Sequence, residues 1–149
     1  MDRTDRRLLS LVEQDGRASF AEIAEAAGLS KTACWNRLQS LERAGLVKGY
    51  GARLDRDKLG LSITAFVSVT IDLGRHDDFE RAVVGVPAVL DCHTTAGEFD
   101  YLLRVVARDV SALDDLLRTQ LGPLPGVRSF STRICLKTIL EQRPLMDAL

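Results

Sequence analysis

The chain has 149 residues, 46% of them apolar, and a formal net charge of −1, a size for one ordinary domain or two small ones and a composition normal for a soluble globular protein. Its opening, Met1-Asp2-Arg3-Thr4, lacks an apolar signal core and no apolar stretch approaches membrane-spanning length, which excludes a secretory or membrane-spanning chain and predicts a cytoplasmic protein. Charge is unevenly placed: residues 1–53 hold nine Lys/Arg against seven Asp/Glu, residues 54–149 hold eleven against fourteen, and residues 31–48 hold four against one.

In chain order, Asp2 caps a first predicted helix with Asp5 in its opening turn, and Leu8, Leu9, Leu11 and Val12 form its apolar stripe. Asp15-Gly16 ends it. Ser19-x-x-Glu22 is a capping box for a second helix, in which Phe20, Ile23, Ala24 and Ala27 are expected to face inward. Gly28 supplies a left-handed C-cap, Ser30 caps a third helix, and Gly45 stops it. Two short helices joined by the tight Gly28-Leu29-Ser30 turn have the form of a helix-turn-helix.

The third helix carries Cys34, Leu38 and Leu41 on one face and Thr32, Ala33, Asn36, Arg37 and Ser40 on another. Small polar groups and a guanidinium suit a face that enters a DNA major groove. Arg37 is expected to hold a guanine edge or a phosphate, Asn36 to pair with adenine, and Ala33 to meet a thymine methyl. Ser19, Ser30 and Lys31 fit phosphates near positive helix N-termini. The bland alternative for Arg37 is a surface ion pair with Asp or Glu. Trp35 either packs on the first helix or a partner, or lines the DNA surface; Arg43 and Lys48 are solvated by default. With so small a basic footprint, a single copy would bind DNA poorly, so a dimer or larger assembly is expected.

Leu46–Leu54 reads as a short strand and connector, and the charged Asp55–Gly60 stretch as a linker turn. Beyond it the period changes from helical to two: Ile63, Ala65, Val67, Val69 and Ile71 alternate with Thr64, Phe66, Ser68, Thr70 and Asp72. A helix with Phe79, Ala82, Val83 and Val86 ends at Pro87. Strands over 89–95 and 99–108 flank the Ala96-Gly97-Glu98 turn. A helix opened by Ser111 carries Leu113, Leu116, Leu117 and Leu121, and a last strand spans 127–140. The β-α-β-β-α-β order is ferredoxin-like, with helices on one face of an antiparallel sheet. Phe66, Leu102 and Val106 are expected to give the other face apolar surface for a partner subunit. The class is therefore α+β: a DNA-binding domain over 1–54, a linker over 55–61, and a sheet domain over 62–149. Cys34, Cys92 and Cys135 lie far apart with no Cys-x-x-Cys pair, so reduced thiols are expected rather than a disulfide or zinc site.

The segment DGRASFAEIAEAAGLSKTACWNRLQSLERAGLVKGYGARLD followed by TTAGEFDYLLRV resembles the Lrp/AsnC, or feast/famine, family of transcription regulators. The Ser30…Arg37…Leu41-Glu42…Gly45 register, Gly49-Tyr50 and Gly97-x-x-Asp100-Tyr101 carry the resemblance jointly. It implies a winged helix-turn-helix, a C-terminal amino-acid-responsive (RAM-type) domain, and dimers that assemble further, often to octamers, with small amino acids bound between dimers. It also implies control of genes of amino-acid metabolism. Two departures stand out: the third helix is less basic than in many relatives, and the turn reads Ala96-Gly97 where Thr-Gly is common.

A free amino acid needs N–H donors or a cation for its carboxylate and a carboxylate for its ammonium. In the place the family uses, the Ala96-Gly97-Glu98 turn offers backbone N–H groups and Asp100 offers a carboxylate, with Thr95, Tyr101 and His93 beside them and Ser129 or Ser131 from a neighbouring subunit. The plain alternative makes Gly97 and Asp100 hairpin residues. No nucleophile–base pair, phosphate loop or metal spacing appears, so neither an enzyme, a cofactor nor a metal is expected. An architectural DNA-binding protein without an effector is the competing reading.

Overall fold

A computed structural model describes residues 1–149, which divide into two compact units: Met1–Arg53 with Ile139–Leu149, and Leu54–Thr138. In the first, three helices, α1 (Arg3–Gln14), α2 (Phe20–Ala27) and α3 (Lys31–Arg43), close over Leu8, Leu9, Val12, Ile23, Ala24, Cys34, Leu38 and Leu41. Side chains fix each start. Asp2 and Asp5 form a reciprocal capping box on α1, Ser19 and Glu22 another on α2, and the Ser30 hydroxyl accepts from the Ala33 N–H on α3. At the α2–α3 turn, Gly28 sits at φ 70° while the Leu29 N–H donates to the Ala24 carbonyl at 2.8 Å, a Schellman closure.

Three expectations for this unit give way. Phe20 is 48% exposed: as the first residue of α2 it leans toward the helix N-terminus, past the last packed turn. Leu46–Leu54 forms no strand, because no segment of the chain offers it a ladder. The chain's last eleven residues leave the sheet domain to which 62–149 was assigned and pack with the three helices. There a short 3-10 turn, Leu145–Ala148, places Met146 against the helical core, and the Leu145 and Met146 N–H groups donate to the two carboxylate oxygens of Glu13 at 2.6 and 3.0 Å.

The second unit is a four-stranded antiparallel sheet in the order β2-β3-β1-β4, with β1 at Ile63–Ile71, β2 at Val89–Thr94, β3 at Tyr101–Ala107 and β4 at Val127–Ile134. The helices α4 (His76–Val83) and α5 (Val110–Leu116, continued by a wider π turn to Leu121) bury Ala65, Val67, Val69, Tyr101, Leu103 and Val105 against Phe79, Val83, Leu113, Leu116 and Leu121. Asp109, not Ser111, caps α5, and β4 ends at Ile134 rather than near 140, where pairing with β1 stops.

The opposite face is more polar than the alternation predicts. Phe66 and Leu102 remain accessible there, but Val106 is buried, lying opposite Thr64 where the Arg56 side chain reaches across. Thr64 and Ser68 are buried too, the latter beneath Arg133 at 3.5 Å, and Arg104 pairs with Asp91.

Candidate nucleic-acid interface and effector region

Helical geometry sorts the residues of α3. Cys34, Leu38 and Leu41 are buried, and the stripe opposite them, Thr32, Asn36, Ser40 and Arg43, is exposed with Lys31 at its start. Arg43 donates to the side-chain Oε1 of Gln39 at 2.8 Å, which sets half-buried Gln39 beside that stripe. Ala33 is half-buried at its edge. Trp35 is 44% exposed, open to a partner subunit or to DNA. Ser19 and Ser30 spend their hydroxyls on the caps, beside the N–H groups of two helix N-termini.

Arg37 behaves otherwise. Its Nη1 donates to Asp2 Oδ2 and Asp5 Oδ1, both at 2.8 Å, and its side chain is 41% exposed. This is the bland alternative, an ion pair with aspartates. The guanidinium ties the capping box of α1 to the middle of α3, and in turn lowers the Asp2 pKa, after the Asp5 N–H that contributes most. The sequence carried the signal: Arg37 stands three residues after Cys34 and four before Leu41, bordering the buried stripe rather than opposing it.

Behind α3, the Tyr50 hydroxyl donates to Glu42 at 2.9 Å, and its ring lies against Gly16, where an added Cβ would stand 3.3 Å from the ring edge. Burial, then the neighbouring Glu42 carboxylate, push its phenol up to about 12, so it stays a donor at neutral pH.

In the sheet unit the β2–β3 turn exposes Ala96, Gly97 and Glu98, with Gly97 at φ 142°. Thr95 is exposed as well, its hydroxyl donating to the Phe99 carbonyl at 2.6 Å and its N–H to the Asp100 carbonyl. Half-buried Asp100 accepts from the Ile71 N–H at Oδ2, and its own N–H donates to the Val69 carbonyl, both at 2.9 Å or less. Tyr101 is 2% exposed, its ring 4.6 Å from that of Phe79, and its hydroxyl donates to Glu80 at 2.7 Å. Burial, then Glu80, raise its pKa far above neutrality.

The turn is thus an open loop, whereas a pocket of about 440 Å³ lies beside it, between α4 and β2, with Tyr101 in its wall. His93 contributes to that lining from the edge strand. Ser129 and Ser131 pair across β4 with Thr70 and Ser68 on the open face of the sheet. No group of three or more His, Cys, Asp or Glu side chains is arranged to hold a metal ion, and the three cysteines are unpaired. No helix is long and apolar enough to cross a membrane.

Comparison with known proteins gives two family matches, the second of which runs past Thr138. Residues 1–42 match the AsnC-type helix-turn-helix domain and residues 64–145 the Lrp/AsnC ligand binding domain. The leucine-responsive regulatory proteins of Escherichia coli K12 and Salmonella typhimurium are each 37% identical over 98% of this chain and 91% of their own. A Neisseria meningitidis transcriptional regulator solved in complex with L-Met superposes with a TM-score of 0.94 at 33% identity, over 97% of this chain and 96% of that one. A feast or famine regulatory protein of M. tuberculosis, complexed with L-methionine, gives 0.89 at 36% identity over 95% and 96%.

Proposed function

The chain belongs to the Lrp/AsnC family of transcriptional regulators, and from that premise we propose that it binds specific sequences in double-stranded DNA through α3 under the control of a free amino acid held by the sheet unit. The observation that carries the DNA half is the capped, outward stripe Thr32–Asn36–Ser40–Arg43, which no part of its own unit covers. Asn36 and Thr32 read base edges, Ala33 packs at the groove wall, and Lys31, Ser30, Ser19 and Arg43 position the phosphates. Arg37 acts one step back, setting the pitch of α3 against α1.

For the effector, the relatives that are leucine-responsive or complexed with L-methionine make these two amino acids the first candidates. The open sheet face with Phe66 and Leu102 joins two copies, and the dimers associate further, to octamers, which supplies the multivalency that a weakly basic reading unit needs. The protein acts in the cytoplasm on genes of amino-acid metabolism, without catalysing a reaction.

Selection of duplexes from a random library, followed by affinity measurement with and without each proteinogenic amino acid, tests both halves. An enriched motif whose affinity shifts with one or a few amino acids is expected. Absence of any motif overturns sequence-specific reading, and a motif indifferent to every amino acid favours the effector-independent architectural protein. Sedimentation of the free protein reads the assembly state.

A further inference from the structure

The helix α3 has two flanks between its buried face and its reading stripe, and they are unlike. At about 100° of rotation per residue, Ala33 lies to one side of buried Cys34 and Trp35 to the other. Ala33 is small and half-buried, and on its side Arg37 is tied to Asp2 and Asp5. Trp35 is 44% exposed. Its ring meets no other aromatic ring, and its indole N–H donates to no group of the chain. One turn before it stands exposed Lys31, and one turn after it Gln39, which is bonded to Arg43 a further turn on. The indole is thus an apolar plate set between two cations. Glu42, the only acid in α3, lies two turns down the helix and accepts from the Tyr50 hydroxyl.

Groove dimensions decide what such a flank meets. A helix with its side chains is about 10–12 Å across, and the major groove is about 12 Å wide. A helix that points Thr32, Asn36 and Ser40 at the base edges therefore brings both flanks against the groove walls. The largest side chain of α3 cannot avoid one of them. Its surroundings fit that wall better than a second copy of the chain, because the desolvated centre of a protein–protein contact is depleted in lysine, whereas Lys31 complements a phosphate backbone. The apolar group that the major groove presents is the thymine 5-methyl, at the outer edge of its base and beside its own deoxyribose.

We propose that Trp35 is a specificity-determining residue: its indole face covers one thymine 5-methyl at a wall of the groove, its N–H donates to the adjoining phosphate, and Lys31 holds a neighbouring phosphate of the same wall. The assignment rests on the sequence-specific DNA reading above. It adds to that reading a preference for thymine at one position per bound protomer, separate from the bases met by Thr32 and Asn36.

Deoxyuridine scanning of the duplex enriched from the random library, with the full chain, tests it. Each thymine is replaced in turn by deoxyuridine, which removes only the 5-methyl. One replacement weakens wild type about fourfold, the scale of one buried methyl group, and leaves Trp35→Ala unaffected. A methyl met by Ala33 keeps its penalty in that variant, which separates the two flanks. Trp35→Phe keeps an aromatic face and keeps the discrimination, and circular-dichroism melts show that both variants are folded. Without any substitution, saturating duplex quenches the emission of Trp35, the single tryptophan of the chain. A wild type with no thymine penalty, penalties that all survive in Trp35→Ala, or an emission unmoved by saturating duplex would each overturn the proposal while leaving sequence-specific reading intact. So would a Trp35→Ala protein that sediments as a smaller assembly with its thymine discrimination unchanged, which would seat the indole on a partner subunit. If no duplex is enriched, the reading itself falls and this assignment with it.

Discussion

Glu13 offers a direct test of whether the chain's last residues belong to the DNA-binding unit. Its two carboxylate oxygens accept from the Leu145 and Met146 N–H groups at 2.6 and 3.0 Å, acting as a cap supplied from α1 to the 3-10 turn. Losing a capping side chain costs about 1 kcal/mol, and the two bonds here go to a charged acceptor in a half-buried setting, so Glu13→Ala should cost about 1–2 kcal/mol. The unit has 64 residues, Met1–Arg53 with Ile139–Leu149. In domains of that size each kcal/mol lowers the melting midpoint by about 4–8 °C, which predicts a fall of about 4–16 °C. The chain's single tryptophan, Trp35, lies on α3, so its fluorescence reports this unit alone. Glu13→Gln, which keeps one acceptor, should lose about half as much. Deleting residues 139–149 should lose more than either, because it also uncovers the groove lined by Leu9, Val12 and Val47. A Glu13→Ala midpoint within about 1 °C of wild type would show that the segment contributes nothing to the fold of the reading unit.

Arg37→Gln is expected to lower operator and random-duplex affinity by the same factor, together with the Trp35 melting midpoint, whereas Asn36→Ala should cost about 1–3 kcal/mol on the operator alone; a loss confined to operator DNA in Arg37→Gln would return Arg37 to the base edges. Asp2 has a folded pKa below its ordinary 3.8 because the Asp5 N–H and then Arg37 favour its charged form. Its contribution is therefore present above that ordinary value and lost as pH falls through the lower folded one, so an acid titration of stability should show a drop there that Asp2→Asn removes. Gly126→Ala should destabilise the sheet unit, since φ is 77° and the new Cβ would stand 2.4 Å from Arg75 Cβ; a circular-dichroism melt unchanged from wild type would refute that.

Much of the fold was legible because its signals are local. Asp2, Ser19 and Ser30 each stand where a helix must begin, and the change of period at Ile63 marks the passage from helices to sheet. The candidate interface was legible only in part. Thr32, Asn36 and Ser40 lie where the wheel of α3 puts them, but the residue type of Arg37 suggests guanine while its spacing from Cys34 and Leu41 puts it beside the core. For the effector the turn was conspicuous because glycine and aspartate are conspicuous. The Tyr101–Glu80 hydrogen bond beside that turn was not legible, since one carboxylate on an amphipathic helix looks like any solvated charge until a tyrosine 21 residues away donates to it.

What the sequence by itself determined, then, was which segments coil and which extend, where each helix is capped, and that a groove-reading helix precedes a split β-α-β-β-α-β layer. These follow from interactions within a few residues, and a short window of chain contains both partners. Tertiary structure alone decided where Arg37 points, that Asp100 Oδ2 accepts from the Ile71 N–H, that the Tyr101 hydroxyl donates to Glu80, and that residues 139–149 return to Glu13. Each depends on a partner between 21 and 133 positions away. Such pairings are fixed by how faces pack and which polar groups they leave to be satisfied, and the order of residues along the chain does not encode them locally.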